Sequence, residues 1–248
     1  MKAAQRYADV FFDCDSTLST LEGIDELARG RRDVAELTRA AMEGRVPLQD
    51  VYRRRLELVQ PTRASVERLG RSYCHTQVAD AGPVLAALQA VGKRVHVISG
   101  GLAPAVRKLA AALHVPDERV HAVEISFDRA GDYEAYDAHS PLSRSGGKRE
   151  YLQRLRAAGG LGPCALVGDG ATDLEAADAV DLFIGFGGVE RRAEVERNAA
   201  VYISSKSLAP VLVHLCTGPE WQRLADRVSF KALLRKALEL SGAQENHA

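Results

Sequence analysis

The sequence of 248 residues predicts an α/β fold: a parallel sheet covered by helices on both faces, with a small helical insert after the first strand. Short apolar, β-branched segments alternate with segments of helical periodicity over most of the chain, whereas residues 19–73 contain almost no strand pattern. The first strand also stops at two acids separated by one residue, Asp13 and Asp15. Such a conflict between core packing and local chemistry is expected at a functional site.

The first predicted strand runs from Tyr7 to Phe12, and the acid pair follows it directly. In an open parallel sheet, ligands bind just beyond the carboxyl ends of the strands, so we expect the site here. Cys14 lies between the two acids. We interpret it as a small packing residue, because a nucleophilic cysteine needs cationic surroundings.

The insert is predicted to contain four helices. Gly44 is a typical helix stop, Pro47 suits a first helical turn, and Pro61 breaks the periodic pattern. The predicted helices run over Glu22–Gly30, over Val34–Gly44, from Pro47 to about Val59, and, after the break at Pro61 and Thr62, through Leu69.

The rest of the chain alternates between strands and helices. The predicted strands are Arg94–Ile98, ended by Ser99-Gly100-Gly101, then Val120–Phe127, Cys164–Val167, Asp181–Ile184 and Val201–Ile203. Helices are predicted over Ala81–Val91, from Pro104, and from Gly146-Gly147-Lys148. Residues 128–137 carry a hairpin turn signal.

The tail, residues 218–248, has the pattern of a basic amphipathic helix. We expect it to pack on the domain, with membrane contact as a minor alternative.

Composition restricts the classes of function. The formal net charge of +0 gives no electrostatic reason to expect nucleic acid as a partner, and no segment is long and apolar enough to span a membrane. The four cysteines are far apart and form no C-x-x-C pair, which argues against a zinc site. Without an apolar signal segment at the start, we expect a cytoplasmic protein with reduced thiols.

Polar residues recur where the predicted strands end and helices begin: Asp13 with Asp15, Ser99, Lys148, and Asp169 with Asp173. Clustered acids that stay ionised need a cation, and oxygen ligands suit Mg²⁺. A lysine and a hydroxyl at the same edge of the sheet indicate a phosphate. The acid pair is not a calcium loop, since Leu18 and Ile24 stand where that loop needs Gly and Glu. The later glycines are not a dinucleotide fingerprint, since Asp173 replaces the third Gly.

In this order, the motifs resemble those of the haloacid dehalogenase-like phosphatase superfamily: Asp13-Cys14-Asp15-Ser16-Thr17, Ser99-Gly100-Gly101, Gly146-Gly147-Lys148 and Gly168-Asp169-Gly170-Ala171-Thr172-Asp173. Further stretches resemble the phosphoserine phosphatases within it: Glu22-Gly23-Ile24-Asp25-Glu26-Leu27-Ala28, Ala41-Met42-x-Gly44, Arg55-Leu56, Gln60-Pro61 and Phe183-Ile184-Gly185-Phe186-Gly187-Gly188. The resemblance covers roughly residues 5–215.

The resemblance implies a Rossmann-like core formed by residues 1–18 and 79–215, a helical cap over 19–78, and a C-terminal extension over 216–248. It implies Mg²⁺-dependent hydrolysis of L-phosphoserine through an aspartyl-phosphate, a step of serine biosynthesis. The expected partner is this small phosphomonoester, and the expected state is a monomer or homodimer.

The resemblance also implies catalytic roles. Asp13 would be the nucleophile, and Asp15 would protonate the leaving oxygen and then activate water. Mg²⁺ would be held by Asp13, the backbone carbonyl of Asp15, and Asp169. The phosphoryl group would be bound by Lys148, Ser99 and the Gly100 backbone, with Thr172 near the phosphate or substrate and Asp173 orienting Lys148 or the metal shell.

Two residues of the insert are expected to recognise the rest of the substrate. Glu22 would bind the amino group and Arg55 the carboxylate, with Met42 packed nearby and Arg192 at the rim of the pocket. From the residues alone, Glu22 is also a favourable first-turn acid of a helix, and Arg55 belongs to a run of three arginines that would normally face water.

Two alternatives stay open at this point. One is another small-molecule phosphatase or phosphotransferase of the same superfamily. The other is a phospho-accepting receiver domain, a signalling module that also phosphorylates an aspartate at a strand end. A receiver is less similar, because it is about half as long and lacks the helical insert.

Overall fold

Strands form where the sequence is apolar and β-branched. The structure is a computed structural model that describes residues 7–245 apart from residue 35 and residues 38–47. Its strands are β1 (Asp9–Phe12), β2 (Arg94–Leu102), β3 (Val120–Val123), β4 (Ile125–Phe127), β5 (Tyr133–Tyr136), β6 (Cys164–Gly168), β7 (Leu182–Phe186) and β8 (Val201–Ile203).

The helices follow the start and stop signals of the sequence. Thr62 caps one helix by accepting a hydrogen bond from the Ser65 backbone N–H, and Pro104 lies in the first turn of another. The α-helices are α1 (Gly23–Leu27), α2 (Leu48–Val59), α3 (Arg63–His75), α4 (Ala81–Ala90), α5 (Ala103–Ala112), α6 (Gly147–Ala157), α7 (Ala171–Leu174), α8 (Ala193–Asn198), α9 (Val211–Leu215), α10 (Gly218–Ala225) and α11 (Val228–Glu245).

Within the described residues, a six-stranded parallel sheet has the order β3-β2-β1-β6-β7-β8, and β4 and β5 form a separate antiparallel pair. Strand β1 lies between β2 and β6, with Phe12 opposite both Val97 and Val167. The chain runs from β1 outward to β2 and β3 and then crosses to β6 on the other side of β1. The carboxyl ends of β1 and β6 therefore form the topological switch point, where such folds bind ligands. The predicted α/β fold is confirmed.

Both faces of the sheet are buried. Phe12 belongs to the same buried cluster as Leu85 of α4 and Leu109 of α5, whereas the preceding Phe11 belongs to a second cluster with Leu152 of α6. Successive strand residues thus serve opposite layers of helices, which explains why β1 has no polar side except Asp9.

The insert between β1 and α4 contains α1, α2 and α3, and α3 packs against α5 of the core. The predicted second helix is described only in part, since residues 32–34 and 36–37 are helical and residues 38–47 lie outside the described residues. Predicted residue Met42 therefore lies outside them as well.

The bounds of several predicted elements were wrong; the helix predicted over Glu22–Gly30, for example, covers only Gly23–Leu27. Strand β2 does not end at Ser99 but continues to Leu102, because a register shift between Ile98 and Leu102 lets it pass the two glycines. The predicted strand over Val120–Phe127 is divided at Glu124 between the main sheet and the hairpin. Helix α3 does not stop at Leu69 but continues to His75.

The tail forms two helices, α10 and α11, instead of the single helix that was predicted. A buried ion pair of 3.0 Å joins Lys93 to Glu220 of α10, and Leu234 of α11 lies in the main buried cluster. No helix in the described ranges has the length and apolar character needed to cross a membrane.

We predict that His121 makes stability depend on pH. Burial, and secondarily His96, lowers the pKa of His121 from 6.5 to about 4. The unfolded chain therefore binds a proton below about pH 6.5 that the folded chain does not bind until about pH 4, so the free energy of unfolding falls as pH falls through this window. Between pH 7 and pH 5 we expect wild type to lose about 1–2 kcal/mol more than His121→Asn, measured by urea unfolding. Equal losses in both proteins would contradict this.

Candidate active site

A cavity of about 430 Å³ lies at the carboxyl ends of β1 and β6 and beside the bulge of β2. Ten of the predicted site residues line it: Asp13, Asp15, Glu22, Arg55, Ser99, Gly100, Lys148, Asp169, Thr172 and Arg192. Asp173 lies behind Lys148 and does not line the cavity. The chain therefore brings together residues that are up to 179 positions apart (Asp13 to Arg192).

Lys148 connects the two acids nearest to it. Its Nζ lies 2.8 Å from Asp13 Oδ1 and 2.7 Å from Asp173 Oδ1, and all three side chains are buried. Burial alone would lower the pKa of Lys148, but the carboxylates of Asp13 and Asp173 outweigh it and raise the pKa above its ordinary value. Lys148 is therefore a permanent cation at the floor of the cavity.

Asp173 is held from both sides. Its Oδ1 accepts from Lys148, and its Oδ2 accepts from the Gly170 backbone N–H at 3.0 Å. A Cβ at position 168 would lie 2.2 Å from the Asp173 carboxyl carbon, so the glycine at the end of β6 permits this close approach. With both oxygens occupied, Asp173 is placed to orient Lys148.

The acidic cluster fits a divalent cation. Carboxylate oxygens of Asp13, Asp169 and Asp173 lie within 4.8 Å of one another, and all three residues are buried. Burial raises the pKa of Asp13, and the carboxylates of Asp173, Asp169 and Asp15 raise it further, against the opposing effect of Lys148. Burial and Asp173 also raise the pKa of Asp169 to about 6. Lys148 and Arg192 supply two positive charges against these three carboxylates, and a hard cation with oxygen ligands would balance the remainder.

The carboxylate of Asp15 has two hydrogen-bond partners that sequence reasoning missed. The hydroxyl of Tyr73 in α3 donates to Oδ1, and the Gly23 backbone N–H also donates to the carboxylate. Burial raises the pKa of Asp15 to about 7, although the Tyr73 hydrogen bond opposes this. A Cβ at position 23 would lie 2.0 Å from the Tyr73 hydroxyl oxygen, so Gly23 makes room for it.

Glu22 and Arg192 link the insert to the core. The guanidinium of Arg192 donates to Asp169 Oδ2 at 3.0 Å and to Glu22 Oε1 at 3.1 Å. The Ser16 hydroxyl donates to the same Glu22 oxygen at 2.8 Å, from a backbone with φ of 50°. The predicted first-turn acid of α1 thus faces the cavity, and it lies at the cap position of that helix.

Arg55 faces the cavity from α2. Its guanidinium forms an ion pair with Asp25 of α1, and its side chain is only 19% exposed. The Nε atom is buried and has no hydrogen-bond partner within the described part of the chain. Arg55 therefore differs from the water-facing arginines beside it, Arg53 and Arg54, which are exposed.

Other cavity residues were also not predicted. Tyr52, Val51 and Ile24 line the side formed by the insert, and the segment from Leu142 to Ser145 lines the side formed by the core. Cys14 is fully buried, and burial first, with Asp15 and Asp13, raises the pKa of its thiol well above the ordinary value. This agrees with a packing residue.

The model of the haloacid dehalogenase-like hydrolase family matches residues 10–178, more than half of the chain. The chain belongs to the haloacid dehalogenase-like hydrolase family. The prediction of a phosphatase of this superfamily is confirmed, and the receiver alternative is set aside.

Similar proteins include the phosphoserine phosphatase of Drosophila melanogaster, 38% identical over 207 residues, which are 82% of this chain and 77% of that protein. The phosphoserine phosphatase of Homo sapiens is 39% identical over 79% of this chain and 88% of that protein. Among solved structures, a phospho-aspartyl intermediate analogue of phosphoserine phosphatase has a TM-score of 0.69 and 26% identity, covering 85% of this chain and 99% of that one.

We predict that Tyr73→Phe slows the hydrolysis of an alkyl phosphate roughly ten-fold or more. The change leaves Asp15 Oδ1 without its donor; Asp15 is the expected proton donor, and its misplacement would be most costly for a poor leaving group. The measurement is kcat, with Tyr151→Phe as the control, because Tyr151 is a partly buried tyrosine hydrogen-bonded to His121 outside the cavity. An unchanged kcat in Tyr73→Phe would show that this hydrogen bond does not position Asp15.

Proposed function

We propose that the chain hydrolyses L-phosphoserine to serine and phosphate in two steps, through a phosphorylated Asp13. One observation carries the proposal: a single cavity has acids and a lysine on its floor and one group of each sign, Glu22 and Arg55, on the insert side. Phosphoserine presents a phosphate and a zwitterion, which match these groups. The phosphoserine phosphatases that are 38–39% identical to the chain support the same substrate.

In the first step, a carboxylate oxygen of Asp13 attacks phosphorus and the bond to the serine oxygen breaks. Asp15 donates its proton to that oxygen, so serine leaves as a neutral alcohol. The pKa of about 7 at Asp15 suits this role, because a substantial fraction of the group is protonated near neutral pH.

In the second step, water attacks the phosphorus of the aspartyl-phosphate. Asp15, now ionised, accepts a proton from that water, and the Asp13 carboxylate is released with inorganic phosphate. One group can serve both steps because the attacking water occupies the position that the serine oxygen has left.

Asp13, the backbone carbonyl of Asp15, and Asp169 would hold Mg²⁺. When bound, the ion would neutralise the repulsion between the anionic nucleophile and the anionic phosphate. Asp173 is less suited as a ligand, since Lys148 and Gly170 already occupy its two oxygens.

The phosphoryl oxygens would be held by Lys148, the Ser99 hydroxyl and the Gly100 backbone, with Thr172 beside them. All four line the same cavity as Asp13. Their cationic and donor character stabilises charge on a transferring phosphoryl group.

Glu22 would bind the substrate ammonium, and Arg55 would bind the carboxylate, with Met42 as an apolar neighbour. Arg192 would mark the rim of the pocket, and its bonds to Glu22 and Asp169 fix the position of both acids. Residues 19–78 would close as a cap over the core, because Glu22 and Arg55 belong to this range and would then contact the substrate. Residues 216–248 would form a C-terminal extension of the core.

A place in serine biosynthesis follows from this substrate. A cytoplasmic location is supported by four free thiols, which suit a reducing compartment, and we propose a monomer or homodimer. Transfer of the phosphoryl group to another alcohol remains the second candidate, since only the acceptor differs from hydrolysis.

We predict that Asp13→Asn abolishes turnover of phosphoserine while the protein stays folded by circular dichroism, because Lys148 keeps Asp173 as its partner. The neutral amide is a poor nucleophile and a weaker metal ligand. Chelation should likewise stop turnover in wild type, and added Mg²⁺ should restore it. Phosphate release is the measurement, and wild-type rates in Asp13→Asn or in the chelated enzyme would refute the assignment.

We predict that Arg55→Ala lowers kcat/KM for phosphoserine roughly 100-fold, because a carboxylate is left unpaired. O-phosphoethanolamine lacks that carboxylate and should lose little. Arg54→Ala is the matched control, because its side chain is exposed and does not line the cavity. Equal losses on both substrates would assign Arg55 to folding or closure of the insert.

Glu22→Gln should act on the other end of the zwitterion. We expect a large loss of kcat/KM for phosphoserine and little loss for phospholactate, which has no amino group for Glu22 to bind. The same loss on both esters would show that Glu22 mainly supports Ser16 and Arg192.

A further inference from the structure

Tyr52 has a buried hydroxyl that forms no hydrogen bond with any residue that the structure describes. The residue lies in α2 and lines the cavity, and its hydroxyl is buried without a hydrogen-bond partner in the described ranges. The ring is fixed by an edge contact with Tyr136, with centroids 5.3 Å apart and planes at 61°. Buried hydroxyls usually have a partner, so the exception needs an explanation.

Arg55, which lines the same cavity, presents a second such atom. Tyr52 and Arg55 are three residues apart in one helix, so their side chains project from the same face. The Nε of Arg55 is also buried without a partner among the described residues, although another nitrogen of its guanidinium pairs with Asp25. One face of α2 therefore directs two unused donors at one cavity.

A single carboxylate, with its two oxygens, could accept from both donors. Leaving them both unsatisfied costs free energy, which a bound carboxylate would recover. No acid of the described residues accepts from either atom: Glu22 Oε1 accepts from Ser16 and Arg192, and Asp15 Oδ1 accepts from Tyr73. The phosphoryl end of a substrate would lie with Lys148, next to Asp13.

We propose that Tyr52 is a specificity-determining residue whose hydroxyl donates a hydrogen bond to the substrate carboxylate that Arg55 binds. The proposal rests on the proposed function, which supplies a substrate with a carboxylate. Burial, and secondarily Tyr136 and Asp15, raises the pKa of Tyr52, so the phenol keeps its proton and acts as a donor. The hydrogen bond from this neutral phenol would orient the carboxylate that Arg55 binds, without placing a second positive charge in the cavity.

Tyr52→Phe tests this, because it removes the hydroxyl and keeps the ring that packs on Tyr136. The readout is the ratio of kcat/KM for phosphoserine to kcat/KM for O-phosphoethanolamine, which lacks the carboxylate. We expect this ratio to fall about ten-fold or more in Tyr52→Phe. Tyr136→Phe is the matched control, since it removes the hydroxyl of the packing partner, which does not line the cavity, and the ratio should stay at the wild-type value.

Two results would overturn the proposal. An unchanged ratio in Tyr52→Phe would show that the hydroxyl does not contact the carboxylate, whether both rates persist or both fall together. If wild type itself shows no preference for phosphoserine, the proposed function fails along with the Tyr52 assignment. Wild-type preference that survives in Tyr52→Phe overturns the Tyr52 assignment alone.

Discussion

The site depends on the ion pairs that the ammonium of Lys148 forms with Asp13 and Asp173. Each group is buried, and removing one partner of a buried ion pair leaves a charge that costs several kcal/mol. The three residues come from the end of β1, the first turn of α6 and the first turn of α7. The parallel sheet brings these ends together because β1 and β6 are neighbouring strands. The ion pairs therefore depend on the order of the strands.

Three carboxylates of this site, those of Asp13, Asp169 and Asp173, face two cations, Lys148 and Arg192. Burial raises the pKa of Asp13, Asp15 and Asp169, which means that the folded chain holds acids where water would not stabilise their charge. On the insert side, buried donors of Tyr52 and Arg55 have no acceptor within the described residues. Both features store free energy that binding of a cation and a doubly anionic substrate would recover.

The sequence predicted the fold class and the grouping of the polar residues, because apolar segments stop at Asp13 and Asp169, where β1 and β6 do end. It did not predict Tyr73, because the helical pattern was judged to end at Leu69 and tertiary packing on α5 extends α3 to His75. Tyr52 was missed for a related reason: periodicity gives the buried face of a helix but not which polar atom on it lacks a partner.

The central claim is that Asp13 carries the phosphoryl group during turnover. The most direct measurement is to quench the enzyme in acid while it hydrolyses phosphoserine, digest it, and locate the added phosphoryl group by mass spectrometry. We expect the modified peptide to contain Asp13 and to be absent when Mg²⁺ is chelated. A phosphoryl group on another residue, or none while phosphate is being released, would contradict the mechanism.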